Sequence, residues 1–153
     1  MSSEATELPG KGTIYVDATN QIAGRLSSKV AKLLISGRRV VVVNAEKSLL
    51  SGSRTSVVRQ WQERLELASH VNPIYGPIHP RRPDNILKRM VRGMVPRKKT
   101  KGVLAMKRLR VYVGVPKEVD ASKLTQFKDA TAPRPVPVYV TMKELSKTLG
   151  WNE

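Results

Sequence analysis

One stretch of this chain carries side chains suited to gripping phosphate. Between Arg81 and Arg110 stand twelve Lys and Arg and a single acid, Asp84, so thirty residues hold +11 of the net charge of +16. Guanidinium groups bridge phosphate oxygens in pairs, and ammonium groups attract them as point charges. Asn85, Lys88, Arg89 and Arg92 follow at i, i+3, i+4 and i+7, the spacing of one helix face. Arg97, Lys98, Lys99 and Lys101 carry the charge into a segment with too few apolar residues to fold alone, which favours ordering along phosphates. Arg81 and Arg82 before the helix and Lys107 and Arg108 after it complete the expected polyanion-contacting set; Arg25, Lys29 and His79 are secondary candidates. A merely solvated face would intersperse acids among its bases. Here like charges repel, and the compensation has to come from outside.

Other chemistries lack their residues. The absence of Cys excludes disulfides, thiolate metal sites and a cysteine nucleophile. His70 and His79 lie in a Pro-rich loop without a carboxylate at metal or triad spacing, so loop packing or contact with a polyanion is the expected role. The turn from Asp17 to Gly24 holds one glycine where a dinucleotide fingerprint needs three, and neither a Gly-Lys-Ser/Thr loop nor a Gly-x-Ser-x-Gly elbow occurs. Asp17 at a strand end is expected to cap the next turn or pair with an Arg. No catalytic residue, metal site, cofactor or small-molecule substrate is therefore expected. Aromatic residues make up only 5%, too few to favour a base-stacking platform. No apolar leader or membrane-length run is present, which predicts a soluble, intracellular protein without a membrane partner.

The elements that position these groups follow from periodicity. Residues 1–12 read as a flexible tail and 13–153 as a single domain, whose basic contact region spans about 70–110. Thr13 to Asp17 is β-rich, and Leu26, Val30, Leu33 and Leu34 recur at helical spacing over Gly24 to Ser36, with Gly37 closing the helix. Val40 to Val43 is an unbroken β-branched run, so the start is a βαβ unit, which favours a layered α/β fold. After Ser51-Gly52-Ser53, a second helix gathers Val57, Val58, Trp61, Leu65 and Ala68 on one side, with Trp61 as core. His70 to Arg82 reads as an extended loop.

A third helix starts on Pro83, places Ile86, Leu87, Met90, Val91 and Met94 on its apolar side and stops before Pro96. A short helical turn is expected around Val103 to Lys107, followed by a half-buried strand in which Leu109, Val111 and Val113 alternate with Arg110 and Tyr112. Little regular structure is expected from Lys117 to Pro137, then a short edge strand over Val138 to Val140. Thr141 and Glu144 form a capping-box pattern for a last helix carrying Met142, Leu145 and Leu149 and stopped by Gly150. Met90, Met94, Met106 and Met142 are expected to fill the core.

Several strings in this order resemble the large-subunit ribosomal protein thirteen family: Asp17-Ala18-Thr19, Gly24-Arg25-Leu26, Val30-Ala31-Lys32, Val41-Val42-Val43-Asn44-Ala45-Glu46, Gly76-Pro77, Val91-Arg92-Gly93-Met94-Val95-Pro96, Arg108-Leu109-Arg110-Val111-Tyr112 and Gly150-Trp151. The first helix runs through Ser36 and Arg39 straight into Val40, without the long insertion of bacterial members. That resembles the archaeal and eukaryotic type, and a short C-terminal extension tilts the likeness toward archaea. The resemblance implies a three-layer α/β/α domain with a small, largely parallel or mixed sheet and a basic loop-helix extension. It also implies no enzymatic activity, a cytoplasmic place in the large ribosomal subunit, and large-subunit rRNA and neighbouring ribosomal proteins as partners. Gly93 would then sit where RNA or another element comes close, or be a tolerated helix glycine. Two rival readings fit the residues alone: a Rossmann-like RNA-modifying enzyme, supported by the βαβ start, and a chromatin-type DNA binder, supported by bulk charge.

Overall fold

The computed structural model describes residues 12–133 and 139–152. Thr13–Asp17 forms β1, Ala23–Ile35 forms α1 and Arg39–Val43 forms β2. Leu26, Val30 and Leu34 bury one side of α1, and Gly37 ends it with φ +97°, a backbone turn that a side chain would strain. The amides of Gly37 and Arg38 then bond back to the carbonyls of Leu34 and Leu33, both at 3.1 Å. β1 and β2 pair in parallel, as the βαβ reading requires.

Leu109–Val111 (β4) adds in parallel outside β2. Leu124–Thr125 (β5) adds in parallel outside β1, giving the order β4-β2-β1-β5. Little regular structure is found between 117 and 133, as expected: two single 3-10 turns and β5, two residues without periodicity that the free edge of β1 recruits. A second pair was likewise invisible in part. Leu49–Ser51 (β3) runs antiparallel to Tyr139–Thr141 (β6), which realises the expected edge strand and supplies it with a partner. Val138 and most of the expected tail lie outside the described residues.

Arg54–Glu66 forms α2, with the Ser53 hydroxyl accepting from the Ser56 amide at 3.3 Å. Val57 is buried and Trp61 and Leu65 pack against the core, whereas Ala68 falls beyond the helix and is exposed. Pro83–Met94 (α3) and Thr100–Lys107 (α4) both contact α1. Met142–Thr148 (α5) closes the fold, capped by the Thr141 hydroxyl, which accepts from the Glu144 amide at 3.2 Å; the Glu144 carboxylate pairs with Arg54. Among the described residues, five helices and a mostly parallel four-stranded sheet agree with the three-layer α/β/α class expected. α1 covers the sheet face carrying Ile14, Val16, Val40, Val42 and Leu109. α5 packs on Ala45–Lys47 at the carboxyl end of β2 and on α2. Met142 is fully buried and Met90 and Met106 partly so, but Met94 is 43% exposed, because α3 ends on it and the chain buries the next residue, Val95, instead.

Candidate nucleic-acid interface

α3 sorts its residues by face. Pro83 occupies the first turn, where its missing N–H costs nothing, and Ile86, Leu87 and Val91 are buried toward α1 and the sheet. Burying each such side chain contributes about 1.5–3 kcal/mol, so the helix is anchored by its apolar stripe without help from its charges. Asn85, Lys88, Arg89 and Arg92 are all exposed on the other side. Arg82, at the N-cap, pairs with Asp84 at 3.2 Å, and this is the only ion pair between described residues that falls within the basic strip. Lys88 and Arg92 have no side-chain partner among the described residues. Arg89 donates to the Ile78 carbonyl and so ties the preceding loop to the helix.

The connection from α3 to α4 is folded, which corrects the expectation that this cationic segment needs phosphate to order. The Lys99 amide bonds to the Pro96 carbonyl at 3.0 Å and the Gly102 amide to Lys99 at 2.9 Å, so α4 begins at Thr100, earlier than the turn expected around Val103. Gly102 lets the first turn of α4 close against the turn that precedes it. A Cβ there would lie 2.2 Å from the Pro96 carbonyl oxygen, and no sequence signal marks that requirement. Arg97, Lys98, Lys99 and Lys101 all project from this built turn, exposed and without side-chain partners among the described residues. Lys107 ends α4 and is exposed, Arg108 is half-buried with Nη1 donating to the Leu34 carbonyl at 3.4 Å, and Arg81 is exposed in the loop before α3. Gly93 has open space where a Cβ would stand, so no described part of the protein approaches it.

Family profiles and curated relatives point the same way. The ribosomal protein L13 profile matches residues 11–118. The chain belongs to that family. A large ribosomal subunit protein uL13 from Sulfurisphaera tokodaii is 46% identical over 138 residues, covering 90% of this chain and 94% of the relative. The uL13 proteins of Archaeoglobus fulgidus and Methanocaldococcus jannaschii are 42% and 43% identical, covering 94% and 88% of this chain and 91% and 96% of their own lengths. The archaeal and eukaryotic type read from the missing insertion, and the further tilt toward archaea, agree with these relatives.

The secondary candidates of this L13-family chain are engaged internally. Lys29 pairs with Asp129 at 2.7 Å, Arg25 reaches the Asp129 carbonyl at 3.5 Å, and His79 Nε2 contacts the Leu67 carbonyl at 2.8 Å. The loop around His79 is more built than an extended reading suggests. Pro73–Tyr75 makes a 3-10 turn, with the Asn72 side chain accepting from the Ile74 amide at 3.0 Å. Further along the loop, Pro77, His79 and Pro80 line a cavity of about 420 Å³ beside Trp61, whose ring centre lies 5.0 Å from the Arg64 guanidinium carbon. Two exposed cations outside the predicted contact set, Arg39 and Arg110, share the uncovered sheet face with Tyr15; strand alternation marks Arg110, whereas Arg39 opens an unbroken apolar run that does not alternate.

Proposed function

We propose that this protein is a structural constituent of the large ribosomal subunit, without enzymatic activity. In this role it binds large-subunit ribosomal RNA in the cytoplasm and helps organise it during assembly. The observation that carries this is the exposed face of α3 continued through the α3–α4 turn. Lys88, Arg92, Arg97, Lys98, Lys99 and Lys101 stand there on a scaffold already folded by its own core, with no carboxylate of the described residues to neutralise them. Such a surface binds backbone phosphate and RNA shape, because A-form helices hide their base edges in a deep, narrow groove. The names of its relatives, large ribosomal subunit proteins, support the choice of RNA and of neighbouring ribosomal proteins as partners.

Filter binding to large-subunit rRNA across a salt series tests it. With about six phosphates neutralised, a fourfold rise in salt weakens binding about a thousandfold. The double variant Lys88→Ala/Arg92→Ala is expected to lower affinity and make the log–log salt slope shallower by about 1.5. Unchanged affinity and slope in that variant, with Arg97, Lys98 and Lys99 also replaced by Ala, would falsify the reading.

A further inference from the structure

Parallel sheets are ordinarily covered on both faces. Here one face is sealed under α1, and the alternate residues point to a second face that stays open near the amino ends of the strands. Thr13 neighbours Arg39, and Tyr15, Val41 and Arg110 form one row across three strands; each is exposed or half-buried. Together with the end of α4 this face forms a groove of about 580 Å³. Its floor is Tyr15, Val41 and Leu104, the last 44% exposed. Its charged lining is Arg39, Lys107, Arg108 and Arg110, with no acid.

The charges are placed for a partner. Arg39 and Lys107 have no side-chain hydrogen bond or ion pair among the described residues. Arg110 folds onto the carbonyls of Leu109 and Lys107, at 3.2 and 3.4 Å, and keeps its remaining donors free for a second acceptor. Asp17, further along this face, is already held by Thr19, Asn44 and Gln126, and Asp120 is paired with Lys123 at 2.7 Å. A cationic rim around a flat floor with one phenol ring matches an unpaired nucleotide: base on the floor, phosphates on the rim. Duplex backbone would use the rim and leave the floor empty.

We propose that this groove takes an unpaired segment of large-subunit rRNA, on the side of the sheet opposite α1. It is a second RNA surface of the protein, separate from the exposed face of α3, and it rests on the ribosomal reading above. The protein then bridges two RNA elements across its sheet.

Hydroxyl-radical footprinting of rRNA with three full-length variants tests this. Arg39→Ala/Arg110→Ala is expected to lose protections in unpaired nucleotides and about tenfold in affinity, while keeping the protections that Lys88→Ala/Arg92→Ala loses. Arg39→Lys/Arg110→Lys, which keeps the charges, is expected to recover most of the affinity. Wild-type footprint and affinity in Arg39→Ala/Arg110→Ala, with loss in Lys88→Ala/Arg92→Ala, overturn the groove and leave the ribosomal reading standing. No change in either of these two alanine variants counts against both surfaces. As an independent check, a benzophenone amino acid at Leu104 in assembled large subunits is expected to yield a nuclease-sensitive adduct. Crosslinking there to another protein, or to residues 1–11 of the same chain, overturns the proposal.

Discussion

Asp17 shows how a single carboxylate can fasten three parts of the chain. It ends β1 and accepts from the Thr19 amide at 3.1 Å, the Thr19 hydroxyl at 2.7 Å, and the Asn44 and Gln126 side-chain amides, each at 2.9 Å. Partial burial pushes its pKa up, and the hydrogen bonds from Asn44, Thr19 and Gln126 outweigh that and hold it below the ordinary value of 3.8. A depressed carboxylate stabilises the fold above its unfolded pKa and loses that contribution as pH falls through the folded one. Asp17→Asn is expected to cost about 1 kcal/mol at neutral pH. It should also flatten the fall in melting temperature from about pH 5 to pH 2, as measured by thermal denaturation. Of the two roles its sequence position offered, the turn cap is realised and the Arg partner is not. The cations of α3 were legible because helical spacing separates Lys88 and Arg92 from Ile86 and Leu87. Arg39 was not, since an arginine at the first position of a strand has no pattern to declare its face until the neighbouring strands are in register.

Among the elements, β1, α1, β2, α3 and α5 could be read directly, each having a periodicity long enough to register or a cap with defined chemistry. β3 and β5 are only three and two residues long, and pairing with distant segments creates them. The start of α4 is not legible in the sequence, because it depends on a contact with the preceding turn. Two glycines test that distinction. Gly102→Ala gains about 1 kcal/mol of helix propensity, but its methyl would collide with the Pro96 carbonyl. The melting temperature is expected to fall by about 5 °C as the α3–α4 turn opens. Gly93→Ala meets no protein atom, so the free protein is expected to melt about 2 °C higher. A drop in rRNA affinity of that same variant would locate RNA against the methyl.

For the whole molecule, charge sets opposite demands on the free and the bound states. At +16 the isolated chain repels itself, and salt screens the repulsion over about 10 Å at 0.1 M. Melting temperature is therefore expected to rise by several degrees between low and moderate salt while rRNA affinity falls over the same range; calorimetry and binding titrations measure the two trends. The fold also has a consequence in time. Val140, Met142, Leu145 and Leu149 are buried, and β6 is clasped by β3 from the middle of the chain. These side chains leave the translating ribosome after every other core residue described here, so the hydrophobic socket they fill stays vacant through most of synthesis. Emergence of this last strand and helix, more than that of the basic strip, is therefore expected to set the moment at which the nascent chain closes its core. A chain halted before Val140 emerges with its cations in place and an unfilled socket, the kind of lesion that chaperones hold and proteases clear.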